Sequence, residues 1–117
     1  MPTAKIYHNP RCSKSRATLE LLVAKHDDVE VIKYLEYPPT VAEIKSMLQQ
    51  LGLGIHDILR KNEAEFKAND MANPALSTEQ LLALAHQFPK VLERPIVTFN
   101  NQAIIGRPPE NVLGLFE

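Results

Sequence analysis

Residues 4–34 place a strand, a helix and a second strand in immediate succession, and few architectures accept that order. "AKIYH" (residues 4–8) is a short, mostly apolar run that ends at the turn pair Asn9-Pro10. From Ser13 to about Lys25, Ala17, Leu21, Leu22 and Ala24 fall on one helical stripe, leaving Thr18, Glu20 and Lys25 for water. "VEVIKY" (residues 29–34) is rich in β-branched residues and reads as a second strand. Two strands joined by a helix over roughly thirty residues make a βαβ unit, with parallel strands and a right-handed crossover.

The rest of the chain must complete that sheet. After "EYPPT", Thr40 and Glu43 form a capping box that opens a helix through Leu51, with Val41, Ile44, Leu48 and Leu51 on one face and Gly52 as its stop. "IHDILR" (residues 55–60) reads as a short helix, and residues 61–75 hold a weaker helical stretch before a loop at Asn73-Pro74. Ser77 and Gln80 form a second capping box. The helix behind it buries Leu81, Leu84, Ala85 and Phe88 and stops at Pro89. "PIVTFN" and "AIIGR" make a hairpin through Asn101-Gln102, and Pro108-Pro109 opens a last short helix. The expected fold is therefore one α/β domain over residues 1–117 on a small mixed β-sheet. Its order is βαβ, a helical segment at about 40–88, then ββα.

Composition narrows the function classes. With 117 residues, 44% of them hydrophobic, the chain can bury a core without disulfides, and its one cysteine excludes an internal disulfide or a thiolate zinc cage. His26, His56 and His86 show no metal-ligand spacing and are expected at the surface or at helix caps, so no metal is expected. A net charge of −1 argues against nucleic acid or a membrane as partner. The N-terminus has no signal-peptide core and no apolar run reaches membrane-spanning length, so a cytoplasmic protein with a reduced cysteine is expected.

That cysteine stands in "YHNPRCSKSR". Cys12 falls where a strand stops and a helix starts, facing unpaired backbone N–H groups and the positive end of the helix dipole. Arg11, Lys14 and Arg16 add charge, Ser13 and Ser15 add hydroxyls, and His8 stands four residues back. A free cysteine is most often a buried apolar residue. Here all the neighbours favour thiolate, so Cys12 is expected to be reactive with a lowered pKa, in a setting that also suits an oxyanion. Position 15 is Ser15 rather than cysteine, so a redox reaction needs its second thiol from another molecule. Arg60, Arg94 and Arg107 lie far from Cys12 in sequence. Arg94 and Arg107 flank strands in turn-like segments, and guanidinium forks match tetrahedral oxyanions.

"IYHNPRCSKSR", "LRKN", "RPIV" and "GRPPE", in this order and spacing, resemble the ArsC family of glutaredoxin-dependent arsenate reductases. The resemblance implies a thioredoxin-like fold with an inserted helical segment. It implies that Cys12 attacks arsenate, that His8 and Ser15 assist it, and that Arg60, Arg94 and Arg107 bind the arsenic oxyanions. It also implies no bound cofactor, with glutathione as co-substrate and glutaredoxin as partner. Arg16 is added to the oxyanion-binding group from its position beside Cys12. Two other readings stand beside this one: a Spx-like regulator that binds RNA polymerase, and a glutathione-dependent thiol oxidoreductase without arsenate activity.

Overall fold

The computed structural model describes residues 3–116. The chain divides into two compact units, Met1–Tyr37 with Arg94–Glu117, and Pro38–Glu93.

The first unit is a four-stranded mixed sheet in the order β2-β1-β3-β4. Strand β1 (Ala4–His8) pairs in parallel with β2 (Val29–Lys33), and helix α1 (Ser13–Lys25) makes the crossover between them. Strands β3 (Ile96–Phe99) and β4 (Gln102–Ile105) form the hairpin, and β3 runs antiparallel to β1. The hairpin turn is Asn100-Asn101, one residue earlier than the pair expected. Both residues have positive φ, 51° and 63°, which asparagine tolerates and two-residue hairpin turns require. Gln102 is thereby released to pair with Phe99. A 3-10 helix, Pro109–Phe116, closes the unit. Ala4, Ile6, Leu22, Val97, Val112 and Leu115 form one buried cluster between α1, the sheet and this last helix.

Two α1 positions differ from the apolar-stripe expectation. Thr18 is fully buried, while Ala24 is exposed. Thr18 can go inside because its hydroxyl is satisfied there, with the Lys14 carbonyl at 2.8 Å and the Gly106 carbonyl at 3.2 Å. His26, expected at the surface or at a cap, caps the C-terminus of α1 and is also buried, edge-on to Phe99 at a centroid distance of 4.9 Å.

The second unit is helical and contains the segment expected at 40–88. Both capping boxes are present, Thr40 with Glu43 opening α2 (Val41–Leu51) and Ser77 with Gln80 opening α4 (Thr78–Gln87). Gly52 ends α2 at φ 70°, the left-handed position expected of it. Helix α2 buries Ile44, Met47 and Leu48. Helix α4 buries Leu81, Leu82 and Ala85, whereas Leu84 and Phe88 are only half-buried. A 3-10 turn (Ile55–Ile58) and the short α3 (Ala64–Ala68) lie between them. Residues 58–60 then run beside 91–93: Leu59 bridges Leu92, Arg60 N–H donates to Val91 O at 2.6 Å, and Glu93 N–H donates to Ile58 O at 2.8 Å.

In the first unit, Gly106 fixes the separation of α1 and the end of β4. A Cβ there would lie 2.5 Å from Thr18 Oγ1, 2.8 Å from Thr18 Cγ2 and 2.9 Å from Pro95 Cγ. Gly106→Ala is expected to destabilise the protein by about 1–3 kcal/mol in urea denaturation. Two of the three clashing atoms belong to Thr18, so the loss is expected to shrink when Thr18→Ala is already present. Equal losses in both backgrounds would remove the steric account.

Candidate active site

Sheet register brings the distant residues of the first unit to one end. Tyr7 stands opposite Ile96, and Ile96 opposite Ile105. Gly106 N–H continues that ladder to Pro95 O at 2.9 Å. Extending both registers by two residues sets Arg94 level with Asn9 and Arg107 level with Arg94. The loop that carries Cys12 leaves β1 at this same end. The Arg94-Pro95 and Arg107-Pro108 peptide bonds are both cis.

The loop is ordered by its own side chains. Asn9 Oδ1 accepts from Arg11 N–H at 3.0 Å, and Asn9 O accepts from Cys12 N–H at 3.0 Å. Arg16 folds back so that Nη1 donates to Pro10 O at 2.9 Å. Part of Arg16, expected at the oxyanion, is thus used to hold the loop. Ser15, fully buried in the first turn of α1, ties the helix to the strand end. Its Oγ accepts from Asn9 N–H at 3.0 Å and shares a proton with His8 Nδ1 at 2.6 Å. His8 is buried, and burial lowers its pKa from the ordinary 6.5; the positive charges of Arg16 and Lys33 push the same way. The imidazole is therefore neutral at pH 7. Lys33 matters because it is the register partner of His8 across β1 and β2, a neighbour that sequence spacing does not reveal.

Cys12 is the N-cap residue of α1, with extended backbone (φ −96°, ψ 123°), and is partly exposed. Its sulfur makes no tight capping bond of the kind an oxygen would make, yet it faces the free N–H groups of the first turn. Burial pushes the thiol up. The N–H groups of Ser15 and Lys14 oppose that, as do the charge and hydrogen bond of the Arg94 guanidinium, and the net result is a pKa lowered from 9.0. The electrostatic expectation for Cys12 therefore holds, but its sources differ. The field comes from backbone N–H groups and a distant arginine, with no contribution resolved from Arg11 or from the Lys14 side chain.

The three distant arginines are held differently. Arg94 is half-buried, and its Nε is enclosed without a hydrogen-bond partner among the described residues. Arg107 is exposed, and its guanidinium makes no hydrogen bond or ion pair to a described residue. Arg60 belongs to the second unit, where Glu63 pairs with it at 2.6 Å. Of the other histidines, His56 is exposed and His86 Nδ1 lies 2.8 Å from Pro39 O. Among the described residues no group of three or more His, Cys, Asp or Glu could hold a metal, and no helix is long and apolar enough to cross a membrane.

Alkylation of Cys12 by iodoacetamide is expected to rise with pH through a midpoint below 9.0. Arg94→Leu removes a charge and a donor that favour thiolate, so its midpoint is expected to move up. A midpoint unchanged by Arg94→Leu would show that the backbone N–H groups act alone.

The sequence pattern of the ArsC family matches residues 7–115. A relative from Neisseria meningitidis serogroup A, named arsenate reductase, is 44% identical over 113 residues, covering 96% of this chain and 97% of the relative. A relative from Escherichia coli K12, carrying the name uncharacterized protein YfgD, is 46% identical over 110 residues, covering 93% and 92%. The solved structure of an arsenate reductase from Vibrio cholerae matches with a TM-score of 0.92 at 46% identity, covering 97% of this chain and 98% of that one. The matched span includes the Cys12 loop and all three distant arginines, and the four-stranded mixed sheet flanked by helices is the thioredoxin-like arrangement of these neighbours. This chain belongs to the ArsC family and has its thioredoxin-like fold.

Proposed function

We propose that this chain is an arsenate reductase that takes its electrons from glutathione and glutaredoxin. The observation that carries the reading is the Cys12 sulfur at the start of α1, where the Ser15 and Lys14 N–H groups and the Arg94 guanidinium all favour its charged form. A site that stabilises one anionic sulfur also suits the negative charge that gathers when a thiolate attacks an oxyanion. The names of the relatives from Neisseria meningitidis and Vibrio cholerae supply the substrate.

In this reading the Cys12 thiolate attacks arsenic(V). One arsenate oxygen leaves as water and a sulfur–arsenic bond forms, with arsenic still at the +5 level. Glutathione then attacks arsenic, a second oxygen leaves as water, and arsenic, still at the +5 level, is held between the Cys12 and glutathione sulfurs. A glutaredoxin thiolate attacks the glutathione sulfur; the mixed disulfide forms, and the arsenic–sulfur electron pair stays on arsenic and takes it to the +3 level. Water then displaces the Cys12 thiolate as arsenite leaves. Arg94 and Arg107 hold oxyanion oxygens, and the family resemblance assigns Arg60 to the same task. Ser15 and His8 hold the loop that carries Cys12 in place. Cys12 is the chain's one cysteine, so the second and third thiols come from outside, which suits a reducing cytoplasm.

The test is a coupled assay with arsenate, glutathione, glutaredoxin, glutathione reductase and NADPH. Arsenate-dependent NADPH oxidation is expected, falling by at least about three orders of magnitude in Cys12→Ser, because the nucleophile is removed. Omitting glutaredoxin is expected to stop turnover. Absence of arsenate-dependent oxidation in the wild-type protein would overturn the proposal.

A further inference from the structure

Arg60 is held more firmly than a surface arginine requires. Its backbone N–H is bonded to Val91 O at 2.6 Å, beside the Leu59–Leu92 bridge. Its carbonyl accepts from Glu63 N–H at 3.2 Å, closing a turn. The side chains close the same turn, with Nη1 2.6 Å from Glu63 Oε1, and each side chain is only 24% exposed. Nη1 also donates to Lys90 O at 3.4 Å. Glu63 is the N-cap residue of α3, yet its side chain makes no capping bond there. The carboxylate serves the arginine and leaves the helix end without a side-chain cap.

These contacts select an edge of the guanidinium. Nη1 carries two N–H groups, and both the Glu63 carboxylate and the Lys90 carbonyl draw on it. Nε and Nη2 make no hydrogen bond to a described residue. An arginine can grip an oxyanion with two parallel bonds along its Nε–Nη2 edge or its Nη1–Nη2 edge. Only the first remains.

We propose that Glu63 is a positioning residue for oxyanion binding: it holds Nη1 of Arg60 so that the Nε–Nη2 edge is the fork offered to a tetrahedral oxyanion. This rests on the assignment of Arg60 to the oxyanion. Glu63 touches no reacting atom in this role. Its negative charge by itself would repel the ligand, so the benefit is orientation and not charge. The two effects separate by substitution. Glutamine keeps an acceptor oxygen for Nη1 and removes the charge, whereas alanine removes both.

Arsenate binding is measured by titration calorimetry on full-length Cys12→Ser protein, which cannot form the sulfur–arsenic bond. Adding Glu63→Ala is expected to raise the arsenate Kd about tenfold, while Glu63→Gln binds at least as tightly as the Cys12→Ser parent. With Arg60→Ala present, Glu63→Ala is expected to add no further loss, and circular dichroism melts check that each variant is folded. An unchanged or lower Kd in Glu63→Ala overturns the role. So does a glutamine variant as weak as alanine, the same loss with Arg60 already removed, or no arsenate binding by the parent. Turnover in the coupled assay without this Kd pattern leaves the proposed function standing and removes the Glu63 role. The Kd pattern without turnover does the reverse.

Discussion

The Ser15 hydroxyl is the contact on which the cysteine loop depends. It joins the last residue of β1, the first residue of the loop and the first turn of α1 through one oxygen, completely out of water. A buried hydroxyl left unpaired costs free energy, so a loop geometry that breaks these bonds is disfavoured by more than their own strength. The strand end and the helix start are thereby set at a fixed spacing. Cys12 lies inside that frame, with its N–H bonded to Asn9 O and its carbonyl accepting the first bond of the helix from Arg16 N–H. The sulfur meets the N–H groups of α1 because the backbone on both sides of it is already committed.

Within this frame, two groups with opposite charge preferences are kept apart by their surroundings. Burial of His8 and the nearby Arg16 and Lys33 favour its neutral form. Cys12 is desolvated too, but oriented N–H groups and Arg94 favour its charged form. A protonated His8 would add attraction for an anion but would also add a buried charge beside two cations. The neutral ring instead supplies a hydrogen-bond partner for Ser15. Positive charge near the sulfur therefore comes mainly from groups that do not titrate near neutral pH, namely backbone dipoles and an arginine.

Much of this was legible in the chain because it was written locally. Thr40-Glu43, Ser77-Gln80 and Gly52 mark helix ends by short-range chemistry, and the structure uses each one as expected. The βαβ start was legible from the change of apolar period between residues 4–8 and 13–25. Cys12 stood out because helix starts and basic neighbours are also local. What escaped were effects carried by strand register and close packing. Thr18 looked like a surface residue until Gly106 brought a carbonyl to it. Lys33 looked unrelated to His8 until β1 and β2 paired. The hairpin turn was misplaced by one residue because Asn100 and Asn101 are both suited to positive φ, and an Asn-Gln reading used only the second of them.

Gly106 has a bearing on how variants of this protein would be interpreted. The missing side chain lets α1, which begins at the cysteine loop, lie against the segment that leads directly to Arg107. A methyl group inserted there meets Thr18 and Pro95 first, and so would press on the helix that begins at Cys12 and on the residue that follows Arg94. In a screen scored by activity, such a substitution would group with damage to the chemistry itself. A map of functionally sensitive positions would therefore mark a spacer as though it were a reactive group, unless abundance and activity were recorded separately.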